Sequence, residues 1–251
     1  MTQPEATSET TPQTPRPSLL AELKKIATTV AVPYHEPPAV VLRRRIVVAV
    51  FLVAGAVVLG FSLNRPPGDD SFYWSTFLLA GVWFIGALLS RPLHLGSVNF
   101  RGRNQRPVIT GTLAGLTLGG LFLLGGLGAR EIPGVSEHIR NVLLFADRGS
   151  LQLVLFITLI NGIAEECFFR GALYSALGRH YPVLISTLLY IAVTLASGNP
   201  MLGFAAVIVG TVCALARRAT GGVLAPILIH FWWSVLMVLA LPPIFGLSPG
   251  Q

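Results

Sequence analysis

Charge is what this chain has least of. Only 12% of its 251 residues are Asp, Glu, Lys or Arg, whereas 53% are hydrophobic. An ordinary soluble domain carries about 25% charged residues, so a water-exposed surface around one core is excluded. Lysine occurs only at Lys24 and Lys25. No P-loop, no dinucleotide fingerprint after a strand and no solenoid-length repeat is present, which removes the common nucleotide-binding and repeat architectures. HExxH is missing too, and one intramembrane histidine beside two glutamates that face apart does not make the His-rich set of a catalytic zinc. No metal and no cofactor is expected. Both cysteines, Cys167 and Cys213, fall in apolar runs, where a lone thiol acts as a small hydrophobe. Cys167 lies about 200° around a helix from Glu165, so it is not read as a nucleophile.

What is abundant is apolar sequence of membrane-spanning length. Runs at about 46–63, 74–90, 108–128, 151–174, 182–197, 200–216 and 222–241 approach the ~20 residues a helix needs to cross ~30 Å of hydrocarbon. The expectation is an all-α polytopic membrane bundle of about seven helices. The break "SGNPM" at 197–201 makes the fifth and sixth runs a tight hairpin or re-entrant turn.

Orientation follows from arginine and lysine. With the N-terminus inside, thirteen of the eighteen fall on the cytoplasmic side, among them Arg16, "RRR" at 43–45, Arg91, Arg179, Arg217 and Arg218. Arg65, Arg130, Arg140 and Arg148 fall on the other side, which also receives the C-terminus. The net charge of +7 then belongs to loops facing anionic headgroups, and no nucleic-acid partner is expected. Sixteen arginines against two lysines fit a GC-rich bacterial genome and hence a bacterial plasma membrane.

The chain divides into a disordered cytoplasmic tail at 1–42, three helices with loops at 43–150, a core of four helices at 151–241, and a short tail at 242–251. Within the first tail, residues 19–32 could form an interfacial helix, ended by "VPYHEPP". Gly111, Gly115 and Gly119 recur every four residues and allow close backbone approach, either to an internal neighbour or to a second copy, so oligomeric state stays open.

Only four ionisable groups fall within the spans: Glu165, Glu166, Arg170 and His230. An intramembrane charge costs a few kcal/mol, and such groups usually face the bundle interior. Arg170 could instead snorkel to the headgroups and bring the glutamates along as counter-charges. Helix geometry tilts the balance. Glu166 and Arg170 are four apart and pair on one face. Glu165 points about 100° away, on the face of Asn161 and Phe169, with no opposite charge in its own turn. A buried carboxylate of that kind is poised for general acid or base work. His230 shares a face with Ser234 and falls at a similar depth to Glu165.

These residues resemble a known family. "EECFFRG" is similar to the EExxxR signature of the CAAX-protease and bacteriocin-processing intramembrane peptidases, and "HFWWS" to their last motif. The resemblance spans residues 151–241. It implies that Glu165 activates water for attack on a peptide carbonyl, that His230 with Ser234 stabilises the oxyanion, and that Glu166 and Arg170 hold the site together. One position departs: Thr194 stands four residues after Tyr190 where the family carries histidine. Loss of an acid-base participant is worth ~10² to 10⁴ in rate. Three readings follow: an intramembrane endopeptidase acting on a membrane protein or peptide, a silent relative that binds a membrane partner, as in bacteriocin immunity, and a proton-coupled transporter using Glu165.

Overall fold

The computed structural model describes residues 18–32, 36–63, 69–147 and 150–248. Residues 1–17 of the expected tail, with Arg16, Arg65 and Arg148, lie outside the described residues. Helix α1 (Leu19–Thr28) begins at Ser18, whose hydroxyl accepts from the Ala21 amide at 3.3 Å. Helix α2 (Pro38–Leu63) starts before the expected boundary at residue 42, so the arginine triplet stands on a helix instead of ahead of one.

The protein is an all-α membrane bundle. Five helical rods are long and apolar enough to cross a bilayer: α2, α3 (Asp70–Leu89), α4 (Val108–Ala129), the continuous rod Leu151–Leu177, and α9 (Pro200–Thr220). The fifth and seventh apolar runs give shorter helices, α8 (Pro182–Leu195) and α10 (Leu224–Leu239), of 14 and 16 residues. At 1.5 Å per residue these reach roughly 21–24 Å, less than a full hydrocarbon core. Of the seven apolar runs, five thus give helices of full spanning length and two give shorter apolar helices. The short ones are bounded by chain breakers: Gly178 before α8, Gly198 after it, Gly221 and Gly222 before α10, and Pro242 and Pro243 in α11 (Leu241–Ile244) after it.

The Leu151–Leu177 rod changes pitch. It runs as α6 (Leu151–Glu166), a π-helical stretch at Cys167–Leu173, and α7 (Tyr174–Leu177). The Tyr174 amide donates to the Phe169 carbonyl five residues back, the mark of the wider turn. Phe168 and Phe169 on this stretch pack on Trp83 of α3, with ring centroids 4.8 and 5.1 Å apart, at the centre of the largest core cluster.

Two elements lie in stretches read as loops. Helix α5 (Pro133–Asp147) turns Val142 and Leu143 to the bundle and covers one end of it. A hairpin joins β1 (Val98–Phe100) to β2 (Arg103–Gln105) antiparallel, with Arg101 and Gly102 both at positive φ, as a two-residue turn requires.

The glycine stripe of α4 packs internally, against α10. A Cβ at Gly111 would lie 3.1 Å from Leu228 Cβ, and one at Gly115 only 2.8 Å from the Ile229 carbonyl oxygen.

The connecting segments form two faces. On one, the Ala31 amide donates to the Arg218 carbonyl at 2.9 Å, Val223 to His94 at 2.8 Å, and Ser97 to Thr220 at 2.9 Å. On the other, α5 meets the α8–α9 turn and the C-terminal segment: Asn199 donates to the His138 carbonyl at 2.9 Å and the Ser248 amide to the Asp147 carboxylate at 3.0 Å. Arg44 and Arg217, read above as loop charges, are buried. Arg44 pairs with Glu36 and donates to the Ser90 carbonyl at 2.8 Å, and Arg217 donates to the Arg170 carbonyl at 2.7 Å. Each finds a backbone carbonyl, Arg44 at the C-terminal end of α3 and Arg217 on the π-helical stretch, which is why burial is tolerated.

Candidate active site

The four intramembrane ionisable groups meet because three elements converge on the lower half of α6. Arg170, on the π-helical stretch, reaches back to Glu166 with Nη1 donating to Oε1 at 3.0 Å, and its Nη2 donates to the Gly210 carbonyl of α9 at 3.0 Å. His230 of α10 approaches from the opposite side, its Nδ1 also 3.0 Å from Glu166 Oε1. Because that oxygen only accepts, Nδ1 carries the proton and Nε2 remains for other partners. Gly162, one turn above Glu166, makes room for the imidazole: a Cβ there would lie 3.3 Å from His230 Cδ2.

Glu165 goes elsewhere. Its Oε2 accepts a hydrogen bond of 2.9 Å from the Tyr190 hydroxyl of α8, and it forms no ion pair among the described residues. The aromatic ring of Tyr190 also carries the Arg170 guanidinium over its face at 4.5 Å, a cation–π contact that couples the two acids' surroundings without joining their oxygens. Thr194, one turn along α8, donates its hydroxyl proton to the Tyr190 carbonyl at 2.8 Å, so toward anything else it acts only as an acceptor.

Glu165, Asn161, Thr194, His230 and Ser234 all line one cavity of about 270 Å³. Its volume equals several water molecules at ~30 Å³ each. Glu166 and Arg170 stand behind its wall, wholly buried. Asn161 donates to the Thr76 carbonyl at 3.0 Å and the Ile157 carbonyl at 2.8 Å, while its Oδ1 is buried without a partner. Ser234 Oγ is likewise buried and unpartnered. Unsatisfied polar atoms along a cavity inside an apolar bundle are rare, and they mark it as a place for a polar guest. Among the described residues, no three His, Cys, Asp or Glu side chains form a metal-holding group.

Residues 147–236, which carry this whole arrangement except Thr76, match the model of the Rce1-like family, described as type II CAAX prenyl endopeptidase Rce1-like. The match covers 90 of the 251 residues and makes this segment similar to the CAAX-protease family. Neither a curated protein nor a solved structure matches the chain.

Within the matched segment, not every contact follows from the sequence. His230 bonds to Glu166, which was expected to serve Arg170 alone. Tyr190, passed over as part of a motif, holds Glu165; its spacing of four from Thr194 already placed both on one face of α8. Gly162 and Gly210 escaped notice, since neither is unusual in its own helix, and Arg217 was read only as a loop charge. Cys167 lies buried in the core cluster beside Phe168 and Trp83.

Proposed function

We propose that the protein is an intramembrane endopeptidase in which Glu165 activates water for attack on a peptide bond. The observation that carries this reading is a carboxylate, deep in the bundle, steadied by one neutral hydroxyl and turned into a cavity shared with His230. In the first step Glu165 takes a proton from water while the hydroxide oxygen bonds to the peptide carbonyl carbon. The developing oxyanion is met by the His230 imidazole and by the Ser234 hydroxyl. Glu166, accepting from both Arg170 and His230, fixes the ring. The carbon–nitrogen bond then breaks as Glu165 passes its proton to the leaving nitrogen. Thr194 orients the water through an oxygen lone pair. Asn161, braced against α3, sets one wall of the cavity. The substrate class is a membrane-embedded peptide or protein segment, for which the family's CAAX peptides are the model, in a cell membrane with the N-terminus in the cytoplasm.

A second reading has its own observation: Thr194 cannot take up a proton near neutral pH, and its one hydroxyl proton is engaged by the Tyr190 carbonyl. On that reading the protein is a silent relative that binds a membrane peptide without cutting it. Cleavage of a membrane peptide library in liposomes decides between them, with Glu165→Gln as the negative control. Turnover by the parent that Glu165→Gln abolishes supports the peptidase. Peptide retention without turnover in either protein supports the silent relative.

A further inference from the structure

We propose that a second, arginine-lined cavity binds one anionic phospholipid, its headgroup phosphate held by Arg179, Arg218 and the first turn of α8. The cavity has a volume of about 580 Å³ and lies where α7, α8, α9 and the segment after α1 meet, sharing no lining residue with the cavity of Glu165. Four arginines line it, Arg44, Arg179, Arg217 and Arg218, against one acid, Glu36, already paired with Arg44.

Arg44 and Arg217 point their guanidinium groups at protein acceptors. Arg179 and Arg218 do not: neither forms an ion pair among the described residues, Arg179 is exposed, and Arg218 Nε is buried with no acceptor. Arg218 is otherwise half-buried, and a guanidinium nitrogen buried without an acceptor loses its hydration unless an anion replaces it. Beside these two groups, α8 opens with Pro182 and has no side-chain cap. The amides of Val183 and Leu184 in its first turn have no intrahelical acceptor, and such a helix start attracts phosphate. Deeper in, Thr187 is only 8% exposed and its hydroxyl is buried with no partner. The backbone just before the helix is itself constrained, since Tyr181 sits at φ 45 in the left-handed region.

The ligand is an amphiphile because the same cavity has an apolar side. Val30, Val32 and Leu184 line it and remain 65%, 85% and 57% exposed. Free phosphate would leave that side uncovered, whereas an acyl chain running along α8 covers it. Basic pockets between transmembrane helices suit anionic headgroups for this reason.

The full chain, stripped of lipid in neutral detergent and offered equimolar phosphatidylglycerol and phosphatidylcholine, tests this by native mass spectrometry. One phosphatidylglycerol should be retained per chain in preference to phosphatidylcholine. Arg179→Gln/Arg218→Gln should weaken retention about fivefold for each arginine removed. Inorganic phosphate at millimolar concentration should fail to displace the lipid. Equal retention of the two lipids, or an unchanged preference in the double variant, overturns the proposal. Displacement by inorganic phosphate overturns the lipid as the source of the anion. If the double variant does not fold, Arg179→Gln alone decides the matter, since that exposed side chain contributes nothing to the core. None of these outcomes depends on peptidase activity.

Discussion

Replacing Gly115 with alanine tests whether the packing of α4 on α10 sets the position of His230. The added methyl would lie 2.8 Å from the Ile229 carbonyl oxygen and 2.9 Å from Ile229 Cα and from the Leu228 carbonyl oxygen, where ordinary contact begins at 3.4 Å. All three are backbone atoms with no rotamer of escape, so α10 must shift by about 0.6 Å or the helices must part. Overpacking of this kind costs ~1–3 kcal/mol, partly offset by the ~0.5–1 kcal/mol that alanine gains over glycine in a helix. His230 follows Ile229 directly, so its 3.0 Å bond to Glu166 moves with it. With ~10² in rate at stake for a 1 Å misplacement, turnover should fall about tenfold. Gly120→Ala is the matched control, on the same helix with nothing within 4 Å of the new methyl, and it should stabilise slightly. Unfolding in mixed micelles by SDS titration reads the stability, and peptide cleavage in liposomes reads the rate. If Gly115→Ala unfolds and turns over like Gly120→Ala, the close approach does not position the imidazole and the reasoning fails.

Four further outcomes are expected. Glu165→Gln should lower cleavage by ~10² to 10⁴ while leaving the SDS unfolding midpoint within error, and a variant with near-parental turnover rules Glu165 out as the base. Thr194→His should raise turnover, or create it in an inert parent; unchanged rates would mean that Thr194 does not limit the reaction. Arg170→Met leaves buried Glu166 with His230 alone and should destabilise by ~3–5 kcal/mol in SDS titration, most of it recovered in Glu166→Gln/Arg170→Met; a double variant no better than the single contradicts this. His94, outside the spans, is held below its usual 6.5 by burial and then by Arg217, opposed by Glu36 and assisted last by Arg44. The unfolded chain therefore binds that proton more readily, so stability present above pH 6.5 declines as pH falls below it, and His94→Gln should show a shallower decline; identical acid slopes would refute the assignment.

What the sequence made legible was whatever a single helix decides for itself. The apolar runs marked the helices, and the scarcity of charge within them made Glu165, Glu166, Arg170 and His230 stand out. Face arithmetic on α6 separated the two glutamates, because Glu166 and Arg170 share a side and Glu165 does not. It had no means of finding partners on other helices: that His230 comes down on Glu166, and that Tyr190 rises to Glu165, depends on how α8 and α10 lean on α6. Helix α5 was missed because its apolar residues are too few and too interspersed with charge for a span. Arg44 and Arg217 read as loop charges because nothing local shows that carbonyls of other helices lie within reach.

The widened stretch at Cys167–Leu173 has a consequence for evolution and engineering alike. A π segment winds more residues into each circuit than an α-helix does, so the upper portion of the rod, with its two acids, and the lower portion, ending at Leu177, are phased independently. Deleting a single residue there and letting the stretch relax to α-helix would swing one portion about 100° against the other. The acids would then be aimed at lipid or at Trp83 while every side chain that serves them stayed in the chain, which makes the length of this stretch as much a part of the machinery as any of its residues.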